Sequence, residues 1–204
     1  MSDQTPSVQD DLAFMRALAQ GGGTSFLQRF GQAYFTAGLC YGVQMLLHGA
    51  QLGLGWFQTP LEGLTIGLGP TVIYLVLLTW LKIRWGPLAG NTVAKAIGAV
   101  FGAVGLTSLV LAIVIGSLAW RERSIQIWLV FPCVVMALQG MAWTVAAALR
   151  KRPWMGLVGL GWFATAIAMG FATNNPAVYI STVGVSMLLF MLIPGAVMMR
   201  IFKA

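Results

Sequence analysis

Residues 96–120 read AIGAVFGAVGLTSLVLAIVIGSLAW, an uncharged and mostly apolar run bounded by Lys95 and Arg121. At a rise of 1.5 Å per residue, a helix of this length crosses the roughly 30 Å hydrocarbon core of a bilayer. The whole chain has the same character, since 58% of its 204 residues are hydrophobic and 8% are charged. Soluble domains carry about 25% charged residues. The sequence therefore predicts an all-α, polytopic membrane protein.

Apolar blocks of similar length recur on both sides of this run. They predict six membrane spans, at residues 31–54, 61–81, 96–120, 125–149, 154–172 and 180–200. The chain then divides into an amino-terminal cytoplasmic segment, residues 1–30, and a six-span transmembrane bundle, residues 31–204.

The basic residues predict the orientation of the bundle. Ten of the 12 fall before the first span or at alternate connections: Arg16, Arg29, Lys82, Arg84, Lys95, Arg150, Lys151, Arg152, Arg200 and Lys203. The opposite connections carry only Arg121 and Arg123, beside Glu122. Because short cytoplasmic loops are enriched in Lys and Arg, both termini are expected in the cytoplasm.

Residues 7–20 predict a short amphipathic helix ahead of the first span. Ser7 and Asp10 have the spacing of a capping box, and Gly21-Gly22-Gly23 is expected to end the helix. Its apolar stripe consists of Leu12, Met15, Leu18 and Ala19. This stripe either rests on the membrane surface or the protein's own loops, or docks a protein partner, for which Leu12, Met15 and Leu18 are the candidate residues.

The run DDLAFMRALAQGG, residues 10–22, resembles the start of a group of small polytopic bacterial inner-membrane proteins of unassigned function. The resemblance covers only this amino-terminal segment. It implies a bacterial inner membrane and a cytoplasmic amino terminus, and it carries over no catalytic residue.

Polar residues inside the membrane mark the candidate functional site. Gln44, His48 and Gln51 share one face of the first span, and Glu62 begins the second span at a similar depth. Intramembrane ionisable groups are costly to bury, so this group is a candidate proton or ligand site. The alternative is an interhelical hydrogen-bond network with a purely structural role.

Small residues predict where helices meet closely. The third span contains Gly98-x-x-x-Gly102 followed by Gly105, which makes it the candidate for the centre of the bundle. Two further pairs have the same spacing, Gly38 with Gly42 and Gly63 with Gly67.

Other chemistry finds little support in the sequence. Cys40 and Cys133 lie in apolar blocks without metal-ligand spacing, and one histidine is too few for paired haem ligation. No hydrolase, phosphate-binding or dinucleotide-binding motif occurs. We therefore expect no enzyme, cofactor, metal or nucleic-acid partner.

Two functions remain after these exclusions. The first is an integral membrane accessory or interaction protein in the lipid bilayer, contacting a protein partner through its amino-terminal helix. The second is a small-molecule or ion carrier or channel with a polar site between the first two helices. Homo-oligomerisation stays open.

Overall fold

The computed structural model describes residues 8–85 and 92–201, with side chains from Phe26 onward. Every regular element in these ranges is helical. The helices are α1 (Val8–Leu54), α2 (Pro60–Trp85), α3 (Thr92–Arg121), α4 (Ile125–Arg150), α5 (Pro153–Phe171), α6 (Pro176–Met187) and α7 (Ile193–Ile201). A π-helical turn, Leu188–Leu192, joins α6 to α7.

Five helices are long and apolar enough to cross a membrane within the described ranges. They are α2, α3, α4, α5 and the continuous rod Pro176–Ile201 formed by α6, the π-helical turn and α7. These helices coincide with the second to sixth predicted spans. Each helix starts and ends within four residues of the predicted limits. The first predicted span, residues 31–54, is part of α1 and is not among the five.

The predicted end of the amino-terminal helix is wrong. Residues 8–20 are helical, but α1 continues through Gly21-Gly22-Gly23 without a break and ends only at Leu54. Leu27 is already 1% exposed and belongs to the core, so the last residues of the predicted cytoplasmic segment pack with the bundle. The side chains of Leu12, Met15 and Leu18 lie outside the described part, so the docking prediction stays a prediction.

α1 packs along α6 and α7 through a row of glycines. The row is spaced by seven and four residues in alternation and consists of Gly31, Gly38, Gly42, Gly49 and Gly53. A side-chain carbon at Gly31 would lie 2.8 Å from the Cβ of Met198, and one at Gly53 would lie 3.3 Å from the Cβ of Ala177. The two helices are therefore antiparallel and in contact along this whole stretch. The close packing expected of Gly38 and Gly42 is confirmed.

α1 also runs antiparallel to α2. Near one end, Trp85 Nε1 donates a 2.8 Å hydrogen bond to Gln32 Oε1, and further along Gln44 Nε2 donates to the carbonyl of Gly67 over 2.8 Å. The rings of Tyr41 and Tyr74 meet between these two points, with centroids 5.3 Å apart. α1 consequently lies between α2 on one side and α6 with α7 on the other.

The prediction that α3 forms the centre of the bundle is wrong. Within the described residues, a side-chain carbon at Gly102 or Gly105 would meet nothing within 4 Å, and one at Gly98 would meet only the ring of Phe26 at 3.5 Å. α3 packs mainly on α4, and its contact with α1 is small. The glycines were expected at the centre because of their spacing, but spacing does not reveal which face of a helix its neighbours cover.

α4 and α5 also pack closely against each other. A side-chain carbon at Gly140 would lie 3.0 Å from the carbonyl oxygen of Gly159, so the two backbones approach closely. The largest buried rings lie beside this contact, with Trp143 1% exposed and Trp162 0% exposed. Thr165 of α5 donates a buried 2.9 Å hydrogen bond to Ser186 of α6 and links this pair to the next helix.

Candidate functional site

Gln44 joins α1 to α2 in the protein interior. It is 7% exposed, and its amide nitrogen donates to the Gly67 carbonyl. Its Oε1 is buried and has no partner within the described part of the chain. The bond from its amide nitrogen to a carbonyl of α2 is the kind of polar contact that links neighbouring transmembrane helices.

His48 and Gln51 bond to each other at the end of α1. His48 Nδ1 lies 3.1 Å from Gln51 Oε1, while Gln51 Nε2 donates to the carbonyl of Phe57 over 2.8 Å. Because the amide nitrogen of Gln51 is already directed to that carbonyl, Nδ1 of His48 carries the hydrogen and donates to Oε1.

The Gln51 contact holds an irregular connection between α1 and α2. Phe57 has a φ of 54°, a left-handed conformation that is uncommon for a residue with a side chain. Gln58 Nε2 returns from this connection to the carbonyl of Gln51 over 2.9 Å. The described bonds of His48 and Gln51 therefore fix the shape of the connection.

Glu62 caps α2. Its Oε2 accepts hydrogen bonds from the backbone N–H of Thr59 at 3.0 Å and from the Thr59 hydroxyl at 2.7 Å. In return, the Glu62 N–H donates to the Thr59 hydroxyl oxygen over 3.3 Å. This reciprocal arrangement is a capping box, which satisfies backbone N–H groups that have no partner inside the helix.

Within the described residues, Glu62 makes no hydrogen bond to His48 or Gln51. Each residue of the predicted group has a bond in the described structure, but the bonds form three separate links. Gln44 links α1 to α2, His48 bonds to Gln51, and Glu62 bonds to Thr59. A proton or ligand site built from His48 and Glu62 together has no support in this geometry.

A buried cluster that sequence reasoning missed lies where α1, α3 and α4 meet. We call Tyr34, Gln139, Trp143 and Phe101 the Tyr34 cluster. Trp143 Nε1 donates to the Tyr34 hydroxyl over 2.8 Å, and that hydroxyl donates to Gln139 Oε1 over 3.4 Å. The rings of Tyr34 and Trp143 have centroids 5.4 Å apart, and Phe101 completes the contact from α3.

The Tyr34 cluster is suited to positioning helices. Tyr34 is 7% exposed and Trp143 is 1% exposed, so their hydrogen bond lies out of water. A buried Trp N–H needs an acceptor, and the Tyr hydroxyl supplies it from another helix. The only signal in the sequence was Gln139 within an apolar block, because the residues that meet here are about a hundred positions apart.

Electrostatically, the described bundle has two unlike ends. One end carries Lys82, Arg84, Lys95, Arg150, Lys151, Arg152 and Arg200, next to the ends of α2, α3, α4, α5 and α7. The other end carries Arg121 and Arg123, of which Arg121 Nε lies 3.4 Å from Glu122 Oε1. Arg84 lies over the ring of Trp80 at 4.8 Å from its centroid, the kind of cation–π contact found at membrane interfaces.

These features define the class of the protein as an all-helical, multi-pass membrane protein whose uncovered apolar faces indicate contact with lipid. A search of protein-family models, curated proteins and solved structures finds no match to the chain.

Proposed function

We propose that the protein is a six-span, non-enzymatic accessory or interaction protein of a bacterial inner membrane. In this proposal α1 is the first span. It is in contact with α6 and α7 from Gly31 to Gly53 and with α2 from Gln32 to Gln51, so it must cross the membrane if those helices do. Its polar residues fit this position because neighbouring helices cover much of its surface.

Both termini face the cytoplasm in this proposal. Six crossings return the chain to its starting side. The basic end of the bundle then lies in the cytoplasm, where membrane-protein loops are enriched in Lys and Arg. The acidic residues Asp3, Asp10 and Asp11 lie near the amino terminus and favour docking of that segment on basic connections or on a basic partner.

The observation that carries the interaction role is the uneven covering of the helices. Within the apolar 18-residue stretch of each helix, 6% of the residues of α2 and 11% of those of α3 are buried. The corresponding fraction for the rod Pro176–Ile201 is 33%. α3 also presents Gly102 and Gly105 with no neighbour from the described chain. Small residues at a helix surface allow another helix to approach closely, so a partner's transmembrane helix is the proposed occupant of this side.

Photocrosslinking in the native membrane tests the proposal. A photoreactive amino acid at Gly102 should yield a discrete adduct with a second, different protein. The control position is Leu157 of α5, which is 68% exposed and should yield lipid adducts only. Lipid adducts alone at both positions would contradict the interaction role, and an adduct of twice the chain's mass would show self-association instead.

Deletion of residues 1–20 tests the amino-terminal part separately. If that segment docks the partner, the deletion should remove co-purifying proteins while the bundle stays folded. An unchanged set of co-purifying proteins would leave the α3 surface as the site of contact and contradict docking by Leu12, Met15 and Leu18.

A further inference from the structure

A cavity of about 750 Å³ lies between α1, α3, α4 and α6. Its volume falls within the roughly 300–1,000 Å³ typical of small-molecule sites. The walls are apolar and include Met45, Leu129, Val135, Met136, Val183 and Met187. The cavity forms because α3 touches α1 through Phe101 but makes no extensive contact with α6 in the described structure.

The depth of the cavity matches one leaflet of a bilayer. Along α4 its lining runs from Ile125 to Met136, which is twelve residues of helix, or about 17 Å at 1.5 Å per residue. That is slightly more than half of the roughly 30 Å hydrocarbon core. Thr173 and Asn174 line the same end as Gln126, so the mouth is polar and lies where α4 begins and α5 ends.

The lining selects against charge. All of its side chains are uncharged, and Arg123 lines a neighbouring surface pocket with Trp120 instead. Trp128 and Pro132 both line the cavity, and because Pro132 has no N–H, the Trp128 carbonyl lacks its usual donor four residues along the helix. A hydroxyl group on a bound molecule can donate to it.

The inner end is compatible with a hydrocarbon chain. Ser108 lines it with a buried hydroxyl that has no partner in the described residues. A rotation of the serine side chain lets a helical serine donate this hydroxyl to the carbonyl four residues earlier. A wholly apolar occupant is therefore compatible with Ser108.

We propose that this cavity binds a single-chain, uncharged amphiphile with a hydroxyl-bearing head group. The chain lies between α3, α4 and α6, and the head group lies among Gln126, Thr173 and Asn174. The proposal is independent of the protein-partner role, since it concerns a different face of α3 from Gly102.

The test uses a monoacylglycerol with a photoreactive diazirine in its acyl chain and the purified full-length protein in lipid nanodiscs. Irradiation should label cavity-lining residues of α4 and α6, such as Val135 and Ile180. Labelling confined to outward residues such as Leu109 would overturn the proposal. So would equal labelling by phosphatidylglycerol carrying the same chain, because an ordinary charged bilayer lipid would then fill the cavity.

A pair of variants on α4 isolates the cavity. Val135→Trp fills it and should reduce labelling about tenfold, which corresponds to about 1.4 kcal/mol of binding free energy. Val134→Trp introduces the same ring at a neighbouring position outside the lining and should leave labelling unchanged. Equal labelling of the two variants would overturn the proposal. Should Val135→Trp fail to fold, Ile180→Phe fills the cavity from α6 and carries the same expectation.

Discussion

Gly38 of α1 and Leu192 of the π-helical turn approach so closely that a methyl group at position 38 would lie 2.6 Å from the backbone nitrogen of Leu192. Pro194 follows two residues later and has no N–H for the carbonyl of Phe190, a cause of helix irregularity. The irregular turn therefore lies directly on the glycine row of α1, at the centre of the contact that makes α1 part of the bundle.

Substitution of Gly38 tests this contact. Gly38→Ala should lower the free energy of unfolding by about 1–3 kcal/mol, because the clash is with backbone and cannot be relieved by a rotamer change. Thermal unfolding in detergent, followed by circular dichroism, measures the loss.

The matched control is Gly102→Ala. Its new methyl group meets nothing within 4 Å in the described structure, so only the better helix propensity of alanine acts. The control should unfold at the same temperature or slightly higher. A Gly102→Ala variant as unstable as Gly38→Ala would show that α3 is covered as tightly as α1.

The Tyr34 cluster yields a second prediction. Tyr34→Phe removes the acceptor of the buried Trp143 N–H and should destabilise the protein by about 1–3 kcal/mol, the usual result of leaving a buried donor unpaired. Tyr41→Phe is the control, because the Tyr41 hydroxyl has no hydrogen-bond partner in the described residues and its ring contact with Tyr74 is kept. Equal stability of the two variants, measured by chemical unfolding, would contradict the structural role of this hydrogen bond.

The cap of α2 yields a third prediction, which separates it from a His48 site. Thr59→Ala should cost about 1 kcal/mol of stability as the loss of a helix cap. Because Thr59 and Glu62 bond reciprocally, adding Glu62→Ala to that variant should cost less than it does in the wild type. His48→Ala and Glu62→Ala should instead be additive. Coupling between His48 and Glu62 in such a double-mutant cycle would restore the shared site that the geometry does not show.

The five most apolar helices were predictable from the sequence because uncharged runs of sufficient length leave a chain no alternative in a bilayer. The partner of each helix was not predictable. Gly98-x-x-x-Gly102 and Gly38-x-x-x-Gly42 have the same spacing, yet only the second pair is covered by another helix, because coverage depends on the whole arrangement of helices.

In the candidate site, too, contacts between residues close in sequence were predictable and contacts between distant residues were not. The capping box was visible in the sequence Thr59-Pro60-Leu61-Glu62, since a Thr three residues before a Glu with Pro at the first helical position is typical of a helix start. The rarity of carboxylates in this apolar chain instead favours an intramembrane site for Glu62. The bond between Tyr34 and Trp143 joins residues 109 positions apart, and no local pattern predicts it.

The central claim is that α1 crosses the membrane as the first of six spans. Single cysteines at Ser2, Gln58 and Arg152, in a background with Cys40 and Cys133 replaced by Ala, test it by labelling with a membrane-impermeant maleimide. In intact cells, the cysteine at 58 should be labelled, and the cysteines at 2 and 152 should be labelled only after the membrane is permeabilised. A cysteine at 2 labelled in intact cells together with the one at 58 would show that α1 does not cross and would contradict the account.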